Sequence, residues 1–229
     1  MCNKSVLITG AGGAYAHYLA VHFKAAGYGT IGISRSDALP VDLYDHHIRA
    51  DVGDDASIET ISQELDMIAS SISVVVANAG QRAPTDGAMN LRTGELLDLL
   101  NVHCVSLLRT LHGLWKWKTT PLKLVAVSSR FSSFYLHRSG AFRDYRPLYS
   151  YSIAKAALNM FCMRLRAEYP ASELQIYLVH PGQLTVGVSA ADASDDPDIS
   201  ASRLVRYIAE YTGDEVRLYN VMEGTTIPW

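Results

Sequence analysis

The sequence predicts a doubly wound α/β domain, in which helices cover both faces of a seven-stranded, mostly parallel sheet. Short β-rich runs alternate with longer helical stretches along the chain, the pattern expected of a parallel sheet. The run Ser73–Ala77 is apolar after its first residue, as in a strand buried on both faces. No repeat, low-complexity tract or linker interrupts the 229 residues. Residues 1–229 are therefore predicted to form one domain.

The predicted strands follow the β-rich runs, and the predicted helices follow stretches of helical composition. The seven strands are placed at Lys4–Thr9, Gly29–Ser34, Ile48–Ala50, Ser73–Ala77, Leu122–Ser128, Leu174–Val179 and Glu215–Tyr219. The helices are placed at Ala14–Ala26, Ser57–Ala69, Thr93–Trp117, Tyr149–Tyr169 and Ser200–Tyr211. Gly27 is a natural residue for the end of the first helix, and the fourth helix meets no proline before Pro170.

The composition argues against several classes of protein. A net charge of −3 and the lack of a basic run give no basis for a nucleic-acid partner. The cysteines are scattered and no histidine spacing supports zinc, so neither a disulfide framework nor a metal site is predicted. No apolar run is long enough to span a membrane, and a strand begins within a few residues of Met1. A reduced, cytoplasmic location is therefore expected.

A glycine-rich turn joins the first strand to the first helix. The strand Lys4–Thr9 stops at Gly10-Ala11-Gly12-Gly13, and helical composition begins at Ala14. A strand, a glycine loop and a helix in this order point the N–H groups of the helix N-terminus at a pyrophosphate. The turn is therefore a candidate dinucleotide-binding site.

Tyr151 and Lys155 lie four residues apart near the start of the fourth predicted helix. Residues at this spacing share a helix face, so the phenol and the ammonium can serve one site. An ammonium near a phenol favours the phenolate and lowers its pKa, which suits the tyrosine to proton transfer at physiological pH. The alternative is a surface helix with an ordinary tyrosine and lysine.

Several motifs occur in the order, and on the elements, expected of one enzyme family. They are Thr9-Gly10-x-x-x-Ala14-x-Ala16, Asp51-Val52, Asn78-Ala79-Gly80, Asn101, Ser128-Ser129, Tyr151-x-x-x-Lys155 and His180-Pro181-Gly182. Together they resemble the short-chain dehydrogenase/reductase family, with its Rossmann fold, in its compact single-domain branch and over essentially the whole chain. The segment Lys155–Met160 and the end Gly224-x-x-x-Pro228-Trp229 look most like the C-factor-like carbonyl reductases of that family.

The resemblance implies hydride transfer between a nicotinamide cofactor and a carbonyl or alcohol substrate. It makes Tyr151 the acid/base, while Lys155 lowers its pKa and holds the nicotinamide ribose. Ser129 is expected to hydrogen-bond the substrate oxygen, and Asn101 to hold a water that connects Lys155 to solvent. Ser128 as the active serine and Asn101 as a plain surface amide are the alternatives.

The same resemblance implies a dinucleotide-binding surface. Its residues are Gly10, Gly12, Gly13, Ala14, Tyr15, Ala16, Ser34, Arg35, Asp51, Val52, Asn78, Ala79, Gly80, Tyr151, Lys155, Pro181, Gly182 and Leu184. An acidic residue at the end of the second strand selects NAD, whereas Ser34-Arg35 offers a hydroxyl and a guanidinium that suit a 2′-phosphate. Asp37 complicates this preference, and the basic residue of many NADP-binding relatives is absent from the glycine turn. NADP(H) is favoured over NAD(H).

Two departures from the family pattern concern the cofactor. Ala14 and Ala16 replace glycines that normally allow close approach to the pyrophosphate, although Gly12 and Gly13 can supply freedom earlier in the turn. Thr185 stands one position before the place where the family has its threonine, and this puts the contact with the nicotinamide carboxamide in doubt.

A third departure concerns the substrate side. More residues separate Ser129 from Tyr151 than is usual in the family, and the extra ones, Arg130–Pro147, are rich in basic and aromatic side chains. A loop of this kind can hold an anionic or sugar-like group. A solvated excursion or a contact between subunits is the equal alternative.

The expected partners are a small carbonyl or alcohol molecule and further copies of the chain, in a homodimer or homotetramer. The apolar faces of the helices near 93–117 and 149–169 form the usual dimer interface of the family, and are equally consistent with core packing. Two rival functions remain. A catalytically idle dinucleotide-binding sensor or scaffold is favoured by the altered glycine turn, and a nucleotide-sugar epimerase or dehydratase is opposed by the short chain.

Overall fold

The computed structural model describes residues 4–68, 71–81, 87–145, 148–186 and 194–229. Its strands are β1 (Lys4–Thr9), β2 (Gly29–Ser34), β3 (His46–Arg49), β4 (Ser71–Ala77), β5 (Lys118–Val127), β6 (Leu174–His180), β7 (Leu218–Asn220) and β8 (Thr225–Ile227). Its α-helices are α1 (Ala14–Ala25), α2 (Ala56–Ile68), α3 (Thr93–Leu100), α4 (Ser106–Leu114), α5 (Phe134–Arg138), α6 (Tyr149–Glu168) and α7 (Pro197–Glu210). Ala69, Arg146 and Pro147, which belong to predicted segments, lie outside the described residues.

The strands form one sheet in the order β3-β2-β1-β4-β5-β6-β7-β8. Neighbouring strands are parallel except for β7 and β8. The chain starts in the middle of the sheet, winds outward to β3, and then returns to place β4 beside β1. The doubly wound α/β fold is therefore confirmed. The carboxyl ends of β1 and β4 flank the point where the winding reverses, which is where such folds bind ligands.

The described residues contain eight strands rather than the predicted seven. The additional strand, β8, turns back after Gly224 and pairs antiparallel with β7. Gly224 has a φ of +71°, and its N–H donates to the Asn220 carbonyl, so a tight turn allows the pairing. A strand of three residues is too short to show an alternating pattern, which is why the sequence did not reveal it.

A hydrophobic core covers each face of the sheet. Consecutive residues of β4 divide between them: Val75 belongs to one core, and Val74 and Val76 belong to the other. All three side chains are completely buried. This confirms the prediction that the apolar run Ser73–Ala77 is covered on both sides.

The predicted helix Thr93–Trp117 is divided into several elements. A π-helical turn, Asn101–Val105, joins α3 to α4, and a 3₁₀ turn, Trp115–Trp117, leads into β5. A π-helical turn accommodates an extra residue, so the side chains after it are rotated relative to those before it. As a result α3 packs on α6, whereas α4 packs on α2.

The insertion after β5 contains structure that the sequence did not predict. A 3₁₀ turn, Arg130–Ser132, is followed by the short helix α5. The Ser133 hydroxyl caps this helix by accepting a hydrogen bond from the Leu136 N–H at 3.0 Å, and donates to the Pro228 carbonyl. The start of the insertion is thereby fixed to the end of the chain.

No helix in the described parts of the chain is long and apolar enough to cross a membrane. Those parts contain no group of three or more histidine, cysteine or acidic side chains that could hold a metal ion. Cys104 and Cys162 are both free thiols.

Candidate active site

The glycine turn between β1 and α1 leaves the start of α1 open. Gly10 has a φ of +66°, and a Cβ there would lie 2.8 Å from the Ala79 Cα, so the position requires glycine. Gly13 is the N-cap of α1, no side chain caps the helix, and its first turn carries no acidic residue. The first N–H groups and the positive end of the helix dipole can therefore receive a pyrophosphate. This cradle fits the dinucleotide that the sequence predicted.

The alanines at two of the usual glycine positions are accommodated. Ala14 is the first residue of α1, and it is exposed. Ala16 is completely buried, and its carbonyl accepts a hydrogen bond from the Tyr44 hydroxyl at 3.1 Å. Tyr15, another predicted cofactor residue, directs its hydroxyl to Ser200 of α7 at 2.9 Å. Its side chain therefore belongs to the packing of α1 on α7.

The segment Asn78-Ala79-Gly80 is fastened to the end of β1. The Thr9 hydroxyl accepts hydrogen bonds from the N–H groups of Asn78 and Ala79, at 3.1 and 3.0 Å. The Asn78 amide donates to the Thr9 carbonyl at 3.2 Å. Two segments of the predicted binding surface, the glycine turn and the loop after β4, are thus held together where the winding reverses.

Arg35 and Asp51 stand together beyond the ends of β2 and β3. Their guanidinium and carboxylate are 3.7 Å apart, and both side chains are exposed. Val52, next to Asp51, is buried. Asp37, whose charge complicated the choice of cofactor, is paired with Arg49 at 2.8 Å. Its carboxylate is therefore neutralised by a partner other than Arg35.

Ser34 does not offer the hydroxyl that its sequence position suggested. It is buried, and its oxygen lies 3.1 Å from the His47 Nε2 and accepts a hydrogen bond from the Ser36 N–H at 3.3 Å. The Ser36 hydroxyl faces the glycine turn instead, since a Cβ on Gly12 would lie 3.0 Å from it. Ser36, next to Arg35, therefore provides the hydroxyl that is close to the glycine turn.

The Asn101 side chain is hydrogen-bonded on the side of the residues that follow β3. Its amide donates to the Gly53 carbonyl at 2.8 Å and accepts from Arg109 at 2.7 Å. These residues line an open cleft of about 460 Å³ together with Arg35. Asn101 is the first residue of the π-helical turn.

Three side chains meet where β5 ends against α6. Ser129 follows β5, and its hydroxyl is hydrogen-bonded to that of Tyr151. Lys155 is buried one turn after Tyr151, and its Nζ donates to the Val127 carbonyl at 2.6 Å. The same Nζ lies 5.8 Å from the centre of the Tyr151 ring. The structure therefore brings serine, tyrosine and lysine together, and it is Ser129, not Ser128, that meets the tyrosine.

Burial changes the acid–base properties of Tyr151 and Lys155. It raises the pKa of Tyr151, and the hydrogen bond from Ser129 opposes this effect in part. It lowers the pKa of Lys155 to about 7, because the ammonium is removed from water. The predicted lowering of the Tyr151 pKa by Lys155 is not observed. Desolvation of the phenol dominates, and the amine is turned to a backbone carbonyl.

His103 is a residue of this site that the sequence reasoning missed. It is buried, and its ring lies edge-on to that of Tyr151, with the ring centres 5.4 Å apart. Its Nε2 lies 3.1 Å from the carbonyl oxygen and 3.3 Å from the nitrogen of Gln81. Gly80 makes room for the ring, since a Cβ there would lie 2.7 Å from the imidazole. Burial, and then the charge of Lys155, lower the pKa of His103 to about 3, so it is neutral.

The turn after β6 is held by one carboxylate. Gly182 has a φ of +110°, and a Cβ there would lie 2.7 Å from the Asp195 carboxylate. The Gln183 N–H donates to the same carboxylate at 2.6 Å. Leu184 is buried and forms a β-bridge with Asp195, and the Pro181 carbonyl accepts a hydrogen bond from α7. These predicted cofactor residues form one well-fixed turn.

The match to a family model decides the relationship of this chain to other proteins. A model described as short chain dehydrogenase matches residues 4–197, from the start of β1 to the start of α7. The chain belongs to the short-chain dehydrogenase family. A comparison with curated proteins by sequence gave no significant match.

Solved structures of short-chain dehydrogenases share the complete fold. A short-chain dehydrogenase/reductase from Burkholderia multivorans with bound NADP has a TM-score of 0.84 and 21% identity, over 99% of this chain and 100% of that chain. A carbonyl reductase from Pseudomonas aeruginosa PAO1 has a TM-score of 0.82 and 21% identity, over 99% and 100% of the two chains. The NADPH-bound carbonyl reductase from chicken fatty liver has a TM-score of 0.83 and 17% identity, over 100% of both.

The insertion of this short-chain dehydrogenase places an aromatic cluster beside Tyr151. Phe131 and Phe142 stack with their centres 4.4 Å apart, and Phe131 meets Tyr151 edge-on at 6.4 Å. Tyr145 packs edge-on against both phenylalanines. The Arg130 guanidinium lies over these rings and donates to the Tyr145 hydroxyl. The described part of the insertion is therefore folded against the site.

The sequence contained a signal for His103. A histidine lies two positions after Asn101, within a predicted helix that packs against the sheet. His103 lies inside the π-helical turn, which the sequence did not predict. Neither glycine nor proline marks that turn, so composition favoured a continuous helix, and the family resemblance drew attention to Asn101 alone.

Proposed function

We propose that this short-chain dehydrogenase uses NADP(H) to interconvert a carbonyl group and an alcohol on a small-molecule substrate. The observation that carries the proposal is the hydrogen bond between the Ser129 and Tyr151 hydroxyls, with Lys155 on the same face of α6. Two adjacent hydroxyls can hold one substrate oxygen. Ser129 then stabilises the charge that develops there, and Tyr151 gives or takes the proton.

The nucleotide is proposed to bind along the carboxyl ends of the strands. When bound, NADP(H) supplies or accepts the hydride. Gly10, Gly12, Gly13 and the N-terminus of α1 would hold the pyrophosphate, and Asp51 and Asn101 would line the adenosine part of the cleft. The segments Asn78-Ala79-Gly80 and Pro181-Gly182-Gln183-Leu184, together with Lys155, would hold the part nearer Tyr151. The relatives with bound NADP and NADPH support a nicotinamide dinucleotide.

The preference for NADP(H) rests on the charges beyond β2. Arg35 provides an exposed guanidinium at the cleft, and Ser36 adds a hydroxyl close to the glycine turn. Asp37 would repel a 2′-phosphate, but Arg49 neutralises it at 2.8 Å. The buried Ser34 takes no part, so this proposal assigns the phosphate to Arg35 and Ser36.

Proton transfer is proposed to favour reduction at neutral pH. Burial raises the pKa of Tyr151, so the residue is protonated and ready to donate to a carbonyl oxygen. Lys155, whose pKa is lowered to about 7, is near the midpoint of its titration and can return a proton to the site. Oxidation of the alcohol needs the phenolate, and is expected to require a higher pH than we inferred from the sequence.

We also propose that the protein forms a homodimer or homotetramer through α3, the π-helical turn, α4 and α6. These elements expose several large apolar side chains: Leu97, Val105, Leu108, Ile153, Met160 and Met163. Exposed large apolar side chains on neighbouring helices are typical of an interface. Light scattering measures the assembly, and a monomer at micromolar concentration contradicts this part of the proposal.

The catalytic role is tested by Tyr151→Phe, which keeps the ring and removes the transferable proton. NADPH consumption is measured with a panel of small aldehydes and ketones, and NADPH binding is followed by fluorescence. We expect kcat to fall by a factor of about 10² to 10⁴, with nucleotide affinity unchanged. Tyr149→Phe, two residues earlier and exposed, is the matched control and should keep full turnover.

Two results would contradict the proposal. Full turnover by Tyr151→Phe would remove the acid/base assignment. Tight NADPH binding without turnover of any carbonyl would favour the dinucleotide sensor instead. The sequence argument for a sensor was the altered glycine turn. That argument is weaker now, because Ala14 is exposed and Ala16 fits the core.

A further inference from the structure

Helix α6 carries three polar residues in one row, each of which meets a different residue at the end of β5. Tyr151, Lys155 and Asn159 are spaced four residues apart, so they share a helix face. Lys155 bonds the Val127 carbonyl, Asn159 bonds the Ser128 side chain, and Tyr151 bonds the Ser129 side chain. The function proposed above uses the first two members of the row and leaves Asn159 without a role.

Asn159 is the centre of a hydrogen-bond chain that ends on Ser129. The Ser128 hydroxyl donates to the Asn159 Oδ1 at 2.6 Å, and the Asn159 Nδ2 donates to the Ser132 Oγ at 2.8 Å. The Ser132 hydroxyl in turn donates to the Ser129 carbonyl. A hydroxyl has one hydrogen, and that of Ser132 is used on a carbonyl, so Ser132 must accept from the amide. The orientation of the Asn159 amide is therefore determined by its partners.

The chain is shielded from water along its whole length. Asn159 is 3% exposed, Ser128 and Ser132 are each 2% exposed, and Ser129 is 4% exposed. Water is therefore excluded as a replacement for a lost partner, and a buried polar group without one is costly. The Ser129–Ser132 turn consequently has one favoured position relative to α6, and Asn159 sets it.

We propose that Asn159 is a positioning residue of the reaction, which fixes Ser129 so that its hydroxyl meets Tyr151 and the substrate oxygen. This inference rests on the proposed function. Asn159 does not touch the reacting atoms, and acts through Ser132 and the Ser129 backbone. It makes the end of β5 and the start of α6 a single unit, so that the serine and the tyrosine keep their separation during turnover.

The variant Asn159→Asp tests this with almost no change of shape. A carboxylate still accepts from Ser128, but it has no N–H for Ser132. The hydroxyl hydrogen of Ser132 is then expected to turn to the carboxylate, and the Ser129 carbonyl keeps only the hydrogen bond from the Ser132 N–H. Ser132→Ala removes the same bond to Ser129 without adding a charge, so it tests the inference even if Asn159→Asp does not fold.

The matched control is Ser57→Ala. Ser57 is equally buried, and its hydroxyl also donates to the carbonyl three residues earlier, that of Asp54, at 2.6 Å. It lies in α2, which packs on α4. Thermal unfolding establishes that each variant is folded before kinetics are compared.

Kinetics in two backgrounds separate positioning from a purely structural role. Asn159→Asp and Ser132→Ala are each expected to lower kcat by about 10- to 100-fold, as for a displaced reacting group, with the KM for NADPH unchanged. In a Ser129→Ala background neither should lower kcat by more than about twofold further, because both act through Ser129. Ser57→Ala should leave kcat unchanged in both. The inference is overturned if the loss of kcat in Asn159→Asp or Ser132→Ala adds fully to the loss caused by Ser129→Ala. It is also overturned if either substitution leaves kcat unchanged in the wild-type background.

A second measurement does not depend on turnover. The ring carbon that carries the Tyr151 hydroxyl is followed by carbon-13 NMR as the pH is raised, with Tyr151→Phe used for assignment. Ser132→Ala is expected to raise the pKa of Tyr151, because a displaced Ser129 no longer supports the phenolate, and Ser57→Ala is not. A Tyr151 pKa that Ser132→Ala leaves unmoved overturns the role of Asn159. A different result would contradict the proposed function itself: Ser129→Ala would then leave kcat unchanged.

Discussion

His103 presents its imidazole edge-on to the ring of Tyr151, with the ring centres 5.4 Å apart and the planes at 88°. Its Nε2 is held by the backbone of Gln81, and its buried Nδ1 has no hydrogen-bond partner among the described residues. Protonation of this ring would place a second buried positive charge near Lys155. His103 is therefore neutral in the folded protein, although it titrates normally in the unfolded chain.

We expect His103 to make the fold sensitive to acid. Its pKa is lowered from 6.5 to about 3 on folding, so unfolding takes up a proton between these values. The stability that depends on a neutral His103 is fully present above pH 6.5 and is lost as the pH falls towards 3. One such histidine changes the free energy of unfolding by up to about 1.4 kcal/mol per pH unit. In His103→Asn the free energy of unfolding should fall less steeply with acid.

Denaturant titrations at several pH values measure this slope. His112→Asn is the matched control, since His112 is exposed on α4 and should leave the slope unchanged. His180 is a second buried histidine, whose pKa burial lowers to about 4, so part of the acid sensitivity should remain. An identical slope in His103→Asn and the wild type would show that His103 is already protonated in the fold.

Arg35 is expected to decide the choice between the two cofactors. It contributes an exposed guanidinium at the cleft, and a charge-assisted hydrogen bond to a phosphate is worth roughly 1.5–3 kcal/mol. Arg35→Ala should weaken NADPH binding by that amount and leave NADH binding almost unchanged. Titration of both nucleotides measures the difference. Arg164→Ala, an equal loss of charge at an exposed position of α6, should change neither affinity. An unchanged NADPH affinity in Arg35→Ala would make the NADP preference wrong.

The parts of the fold that could be predicted are those with a local signal. The bounds of β1 and β2 agree with the prediction, because β-rich runs end at glycine or at a polar pair there. Gly27 follows the end of α1 with a φ of +83°, as expected of a residue that terminates a helix. The burial of β4 on both faces could also be predicted, because Val74, Val75 and Val76 follow one another and successive strand residues face opposite sides of the sheet.

The parts that could not be predicted depend on packing between distant segments. The π-helical turn exists where α3 meets α6 and α4 meets α2, and no residue of the turn signals it. His103 lies within that turn and contacts Tyr151, so a residue of the site was missed together with the turn. Similarly, the burial of Ser34 depends on His47 of β3, which the sequence does not place beside it.

The aromatic cluster of the insertion is expected to shape the substrate side of the site. Phe142 stacks on Phe131, which in turn meets Tyr151, so Phe142→Ala should allow Phe131 to move. An aromatic pair contributes about 0.5–1.5 kcal/mol, and the KM for the carbonyl substrate should rise by roughly two- to tenfold. Phe134→Ala removes the same side chain from the same insertion, but Phe134 is 75% exposed and should leave KM unchanged. Equal effects of the two variants would show that the cluster does not act on the substrate.

Lys155 is expected to make the protein more stable as the pH rises above neutrality. Its pKa is lowered from 10.5 to about 7 in the fold, so between these values the unfolded chain holds a proton that the folded chain lacks. The free energy of unfolding therefore increases with pH in this window, by up to about 1.4 kcal/mol per unit, and the effect vanishes below pH 7. Lys155→Met keeps most of the side chain, so it should remove this slope and abolish turnover together. Lys116→Met, at an exposed position, should retain both. If Lys155→Met keeps the slope, the amine stays charged in the folded protein above pH 7, and the lowered pKa on which the proposed proton return rests is wrong.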